Sequence, residues 1–346
     1  MFKVAAWCSR SLDAVIHKGK VKVGCGGDGG IFCGVNRKLQ RVVRERGGWF
    51  SRADALEAAY TDSEVRLRLK HGRWRRLCRD VYYEPGDWPE DESPWARTER
   101  LHTLMARAVV GRLNGGVVIS HQSATLFHGL PSWGLDHSKV HVTRTAGRAR
   151  SDRSIQVHRT VLATDEVSEI AGLRVTAPAR AIVETACTSS YEVGVVLADA
   201  ALRAGLVTSE QLTRMVDHLE HSPGSPAARA AVAFADGTSE SVGESRLRVL
   251  MANEGLPTPR AQVEIHDSAG RLLARVDFLL LDHLIVEFDG ALKYESSKAL
   301  VAEKWREDRL REEGYTFARI SWADLDHPRA TATRLRRLLG VQALSA

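Results

Sequence analysis

From Arg37 onward the apolar positions change period several times, and each change marks an element. Leu39, Val42 and Val43 recur at helical spacing until Gly47 and Gly48 end the run. Ser51 caps a second helix, Arg52 to Ala58, and Thr61 or Asp62 starts a third, Ser63 to His71, stopped by Gly72. Trp74 to Tyr83 then alternates as a two-stranded ribbon does. Three short helices followed by a basic ribbon predict a winged helix-turn-helix over residues 37–86. Upstream, the cluster Gly24 to Gly30 lacks both a following helix pattern and a Lys-Ser/Thr pair, so it is no phosphate loop. Residues 1–36 are read as a poorly ordered extension.

The pattern loosens beyond the ribbon. Ser120 to Ser123 opens a helix running to Phe127, and Lys139 to Arg144 and Ile155 to Arg159 alternate as strands. Helices follow at Ala179 to Ala186, Glu192 to Ala204 and Thr208 to His218, giving a middle α+β domain over residues 96–222. The run His221 to Pro226 is rich in turn residues and sets a boundary. A helix over Ser239 to Asn253 comes next, then strands at Ala261 to Ile265, Arg271 to Leu280 and Leu284 to Phe288. A helix from Ala299 to Glu313, a strand from Thr316 to Ser321 and a helix from Pro328 to Leu339 complete an αβββαβα order over residues 237–342. The expected fold class is a multidomain mixture of α+β and α/β parts.

At 346 residues the chain exceeds one ordinary core, which agrees with several domains. No apolar run approaches the ~20 residues that cross a bilayer, and Val4 to Trp7 is too short for a secretion signal, so a cytoplasmic protein without a membrane is expected. Five scattered cysteines without paired spacing read as reduced thiols. The net charge of +6 is concentrated in one place. Residues 37–79 hold 13 Lys and Arg against five Asp and Glu, more than the whole chain's excess. A basic module of that kind points to the phosphate backbone of double-stranded DNA. Arg66, Arg68 and Lys70 on the third helix are candidates for groove or phosphate contact, with Arg73, Arg75 and Arg76 on the ribbon. The loop Arg144 to Arg153 holds four more arginines and is a further candidate contact with nucleic acid or a partner.

Chemistry concentrates in the last domain. Side chains alternate across a strand, so Glu287 and Asp289 share a face, and pairing with the preceding strand brings Asp277 beside them. Clustered carboxylates suit Mg²⁺ or Mn²⁺, with the rest of the metal shell left to water and a phosphate. Glu244, near the start of the leading helix, adds a fourth acid. His121, His128, His141 and His158 have no acid or cysteine at ligand spacing and are read as structural.

Gly243 to Arg246, Val276-Asp277-Phe278, Val286 to Gly290, Asp308 to Leu310 and Arg319 to Trp322 resemble the very-short-patch-repair-like branch of the PD-(D/E)XK nuclease superfamily. Residues 37 to about 220 resemble AbiEi-type antitoxins. The first resemblance implies a restriction-endonuclease-like core and a Mg²⁺-dependent DNA endonuclease or nickase. Asp277 and Glu287 would then be metal ligands, Glu244 a helix-borne acid, and Arg309 a phosphate contact. At the superfamily's lysine position stands Asp289. Either Asp289 adds a metal ligand while Lys293 or Lys304 supplies the cation, or the site is degenerate. Repair endonucleases of this branch also do without that lysine. The second resemblance implies an autoregulator with a cognate toxin, whose nuclease-like half is inactive. Winged-helix proteins often pair as homodimers on palindromic sites, although nothing in this sequence supplies a clear dimer helix.

Overall fold

The computed structural model describes residues 34–86, 92–113, 116–145, 150–267, 269–290 and 297–340, the last segment by backbone alone up to residue 303. The chain divides into two compact units, Met1–Thr185 and Ala186–Ala346. The described part is a mixed α/β structure with three separate sheets.

The first unit begins with α1 (Arg37–Glu45), β1 (Phe50–Ser51), α2 (Arg52–Glu57) and α3 (Asp62–Lys70), followed by β2 (Arg75–Cys78) and β3 (Val81–Tyr83). Each helix starts where its cap dictates. The Asn36 side chain accepts from the Leu39 N–H, while Ser51 with Asp54 and Thr61 with Glu64 form reciprocal capping boxes. The strands form a small antiparallel sheet in the order β1-β3-β2. Leu39, Phe50, Ala55, Val65, Trp74 and Tyr82 make the core, where the Phe50 and Trp74 rings meet edge to face at 4.7 Å.

A 19-residue helix, α4 (Pro94–Arg112), comes next, where no element was expected at its start. Ser93 caps it and Pro94 fills its first turn. It packs with α5 (His121–Phe127) and α6 (Pro178–Thr188) on a five-stranded mixed sheet ordered β6-β5-β4-β8-β7. The strands are β4 (Val118–Ile119), β5 (Val140–Arg144), β6 (Ile155–Arg159), β7 (Val167–Ile170) and β8 (Leu173–Thr176). Beneath them Arg180 is buried between two carboxylates, Glu166 at 2.8 Å and Glu184 at 2.7 Å.

In the second unit α7 (Tyr191–Arg203), α8 (Ser209–His218) and α9 (Ser225–Phe234) precede α10 (Val242–Asn253). The run His221 to Pro226, expected as a break, leads directly into α9, because proline at the first turn costs no hydrogen bond. Gly194 lets α7 and α9 approach closely, since a Cβ there would lie 2.9 Å from the Ala231 Cβ. Asp199 of α7 and Arg248 of α10 form a buried ion pair in which one guanidinium nitrogen donates to both carboxylate oxygens, at 2.9 and 2.7 Å.

The sheet of this unit is ordered β12-β11-β10-β9, with β9 (Arg260–His266), β10 (Leu272–Leu280) and β11 (Leu284–Asp289) antiparallel. Helix α11 (Ser297–Glu312) returns the chain so that β12 (Thr316–Ser321) lies parallel to β11, and α12 (Trp322–Leu325) and α13 (Pro328–Leu338) follow. Leu247 and Met251 of α10 and Leu335 of α13 cover one face through Phe278, Val286 and Ile320. Leu310 of α11 packs with Ile265, Leu279 and Ile285 on the other. Residues 1–33 and Lys293, about which expectations were stated, lie outside the described residues.

Candidate functional site

The basic module presents its cations unevenly. Lys70, Arg73 and Arg75 are exposed at the end of α3 and the start of β2 and make no ion pair among the described residues. Arg66 is exposed too and spans one turn, donating to the Asp62 carbonyl at 3.2 Å. Arg76 reaches back over the Tyr82 ring, 6.0 Å from its centroid. Arg68 is placed differently. Its guanidinium lies over the rings of Tyr60 and Trp74, at 4.8 and 5.3 Å, so its first role is packing. Leu69, Gly72, Trp74, Arg75 and Arg76 line a shallow groove between α3 and the ribbon.

In the second unit the register decides which acids meet. Residue pairs Phe278 with Val286, Leu279 with Ile285 and Leu280 with Leu284 define the hairpin, and one further step sets Asp277 opposite Glu287. There the ladder is completed by a side chain, because Asp277 Oδ2 accepts from the Phe288 N–H at 2.9 Å. Burial pushes the Asp277 carboxyl up to about 6. The charges of Glu244 and Glu240 add to that rise, while the Phe288 N–H and Arg306 oppose it.

Each remaining acid is engaged. Buried Glu244 accepts from the Glu240 N–H at 2.8 Å, the Ser241 hydroxyl at 2.8 Å and the Gln262 amide at 2.9 Å, and burial raises its pKa. Glu287 accepts twice from one Arg306 nitrogen, at 3.0 and 3.3 Å. Asp289 ends β11, beside Ser321 in the register with β12. Lys304 is exposed on α11, and Arg309 lines a cleft with Leu273, Trp305 and Arg306. Asp308 is exposed, 3.7 Å from Arg311. Arg306 and Gln262 were not anticipated from sequence. Both act on acids that were, and an arginine one helix after a Glu-x-Asp strand is the one sequence signal for the first.

Gly243 explains why Phe288 fits beside Glu244. A Cβ at position 243 would fall 2.0 Å from the Phe288 ring, so only glycine lets α10 lie that close to β11. Among the described residues one group of three or more His, Cys, Asp or Glu brings its ligand atoms within 4.8 Å of one another, and it is made of His121, His141 and His158. The acids form no such group among the described residues. The spacing of these histidines along the chain gave no hint of the meeting, which depends on how β5 and β6 pair.

Residues 117–232 match the family model described as the AbiEi antitoxin C-terminal domain. The chain is 31% identical over 202 residues to the uncharacterized proteins MT2308 and Rv2248 of two Mycobacterium tuberculosis strains, a span of 58% of this chain and 73% of each relative. A crystal structure of the RV2827C protein from M. tuberculosis aligns with 67% of this chain and 87% of its own, at 15% identity and a TM-score of 0.38.

Proposed function

The chain belongs to the family of these two M. tuberculosis proteins and carries a match to the AbiEi antitoxin C-terminal domain, and on that premise we propose an antitoxin-type transcriptional regulator. The family match over residues 117–232 carries this reading. The N-terminal module supplies the DNA-binding half. Three capped helices followed by the β2–β3 ribbon are read as a winged helix-turn-helix, with Lys70, Arg73 and Arg75 gripping phosphate. A cognate toxin is the partner this reading implies, and homodimer formation on a palindromic operator is part of it.

The test is footprinting on the DNA upstream of the protein's own gene, with co-expression of an adjacent nucleotidyltransferase-like toxin. Protection of a discrete site and relief of growth arrest are expected. Absence of both would remove the antitoxin reading.

A second reading, metal-dependent nicking of DNA, draws on one observation, the hairpin step that sets Asp277 opposite Glu287 with Glu244 close enough to raise its pKa. Two carboxylates are enough for Mg²⁺, which would lower the pKa of its water and polarise a phosphate, with Asp289 or Lys304 completing the set. In the same geometry the Glu287 carboxylate is held by Arg306, which a cation would have to displace. Plasmid nicking with Mg²⁺ or Mn²⁺ that is abolished by EDTA and by Asp277→Ala or Glu287→Ala supports this reading. Intact plasmid under every divalent metal rejects it.

A further inference from the structure

We propose that His121, His141 and His158 form a binding site for a divalent zinc ion in the first unit, a site that stands whether or not the antitoxin reading does. The residues converge from three elements. His141 lies on β5 and His158 on β6, which pair in parallel with Thr143 opposite His158, so the two-residue period puts both imidazoles on one face. His121 opens α5, and its ring stacks on that of His158 with centroids 3.6 Å apart and planes 15° from parallel.

The distances place the ring nitrogens within reach of a single ion. His141 Nδ1 and His158 Nε2 are 3.0 Å apart. Two nitrogens bound to tetrahedral zinc at about 2.0–2.1 Å stand roughly 3.3 Å apart, so this pair is almost at ligand spacing. All three ligand atoms lie within 4.8 Å of one another. Neutral imidazoles without a thiolate suit zinc, and three of them leave a fourth position open.

The surroundings of His121 support the same conclusion. It sits at φ +53, a backbone conformation that L side chains rarely adopt and that persists where the surroundings demand it. Its Nδ1 lies 3.1 Å from the Ser120 hydroxyl and 3.4 Å from the Glu184 carboxylate. Ser120 occupies the N-cap of α5 yet makes no capping bond, its hydroxyl being turned to the imidazole instead. Glu184 is in turn fixed by Arg180 at 2.7 Å. A hydroxyl held against one ring nitrogen, with the Glu184 carboxylate accepting from the His121 backbone N–H beside it, leaves the other ring nitrogen for metal.

The experiment uses the full chain without a histidine tag, stripped with EDTA, dialysed and titrated with Zn²⁺ against a chromophoric chelator. One zinc per chain is expected, together with a zinc-dependent rise in the thermal midpoint. Ser120→Ala should weaken binding about 10-fold, in the range that outer partners contribute. His141→Asn and His158→Asn should weaken it more, while the exposed His71→Asn should leave it unchanged. Should the ligand variants fail to fold, zinc protection of wild-type histidines against diethyl pyrocarbonate reads the site without substitution. Failure of the wild type to retain zinc, or retention undiminished in the His141→Asn/His158→Asn double variant, or histidines that react equally with and without zinc, overturns the site.

Discussion

The arginines of residues 37–83 and those of residues 242–340 are the same side chain in opposite electrostatic surroundings. In the second unit many arginines sit against carboxylates. Arg246 meets Glu192 at 2.9 Å, Arg248 meets Asp199, Arg306 meets Glu287, and Arg319 meets Glu307. In the N-terminal module Arg46 pairs with Asp54 and Arg52 with Asp62, but Lys70, Arg73 and Arg75 project into solvent without one. Local balance, not residue type, therefore decides whether a cation holds the fold or stays exposed. Arginines matched by nearby acids are consumed internally, and only an excess remains on the surface, where the proposed contact with nucleic acid would draw on it.

The deepest of the matched pairs offers the strongest way to break that contrast. Arg248→Ala leaves Asp199 buried without its cation, and a loss of about 3–5 kcal/mol is expected, read as a collapse of the urea midpoint of the second unit. If stability holds, internal consumption of charge is wrong. A smaller loss, about 1–3 kcal/mol from overpacking, is expected for Gly243→Ala, where the added methyl group meets the Phe288 ring. The same denaturation measured without change would mean that α10 and β11 can separate freely.

Next in size is a pH effect. The folded Asp277 carboxyl binds its proton more tightly than the unfolded one. Its contribution is therefore fully present below the ordinary aspartate range and is lost as pH rises through about 6. Wild-type stability should fall across that window, and Asp277→Asn should flatten the fall, as followed by melting temperature against pH. The least effect on folding belongs to the unmatched cations. Arg75→Ala should leave the melting temperature in place, weaken binding to all duplexes alike and reduce the salt slope by about one. A sequence-selective loss would instead make Arg75 a reader of bases.

What could be read from sequence follows a physical divide. Ser51 with Asp54 and Thr61 with Glu64 are local signals, and the starts of α2 and α3 fall where those pairs put them. Apolar alternation likewise located β10 and β11 nearly to the residue. Helix α4 escaped because its buried face mixes His102, Ala106 and Ala108 with Met105 and Val109, a stripe too weak to stand out. Strands β7 and β8 are four residues each, joined at Ala171 and Gly172 with positive φ, a tight turn made without the usual asparagine. Asp277 and Glu287 were placed on neighbouring strands, but the Arg306 that holds Glu287 comes from a helix whose distance no strand pattern encodes. The meeting of His121, His141 and His158, which read as structural in the sequence, was invisible for the same reason, since parallel pairing of β5 with β6 is a long-range event.

The arrangement of the five-stranded sheet bears on how this chain can be cut. Strand β4 is central, bonded to β5 on one side and to β8 on the other. A fragment ending between Arg159 and Leu173 would therefore present a bare central edge, ready to recruit an identical edge from another molecule. Truncations made to isolate the N-terminal module should stop before Val118 or run past Thr176, and those that stop in between are expected in inclusion bodies.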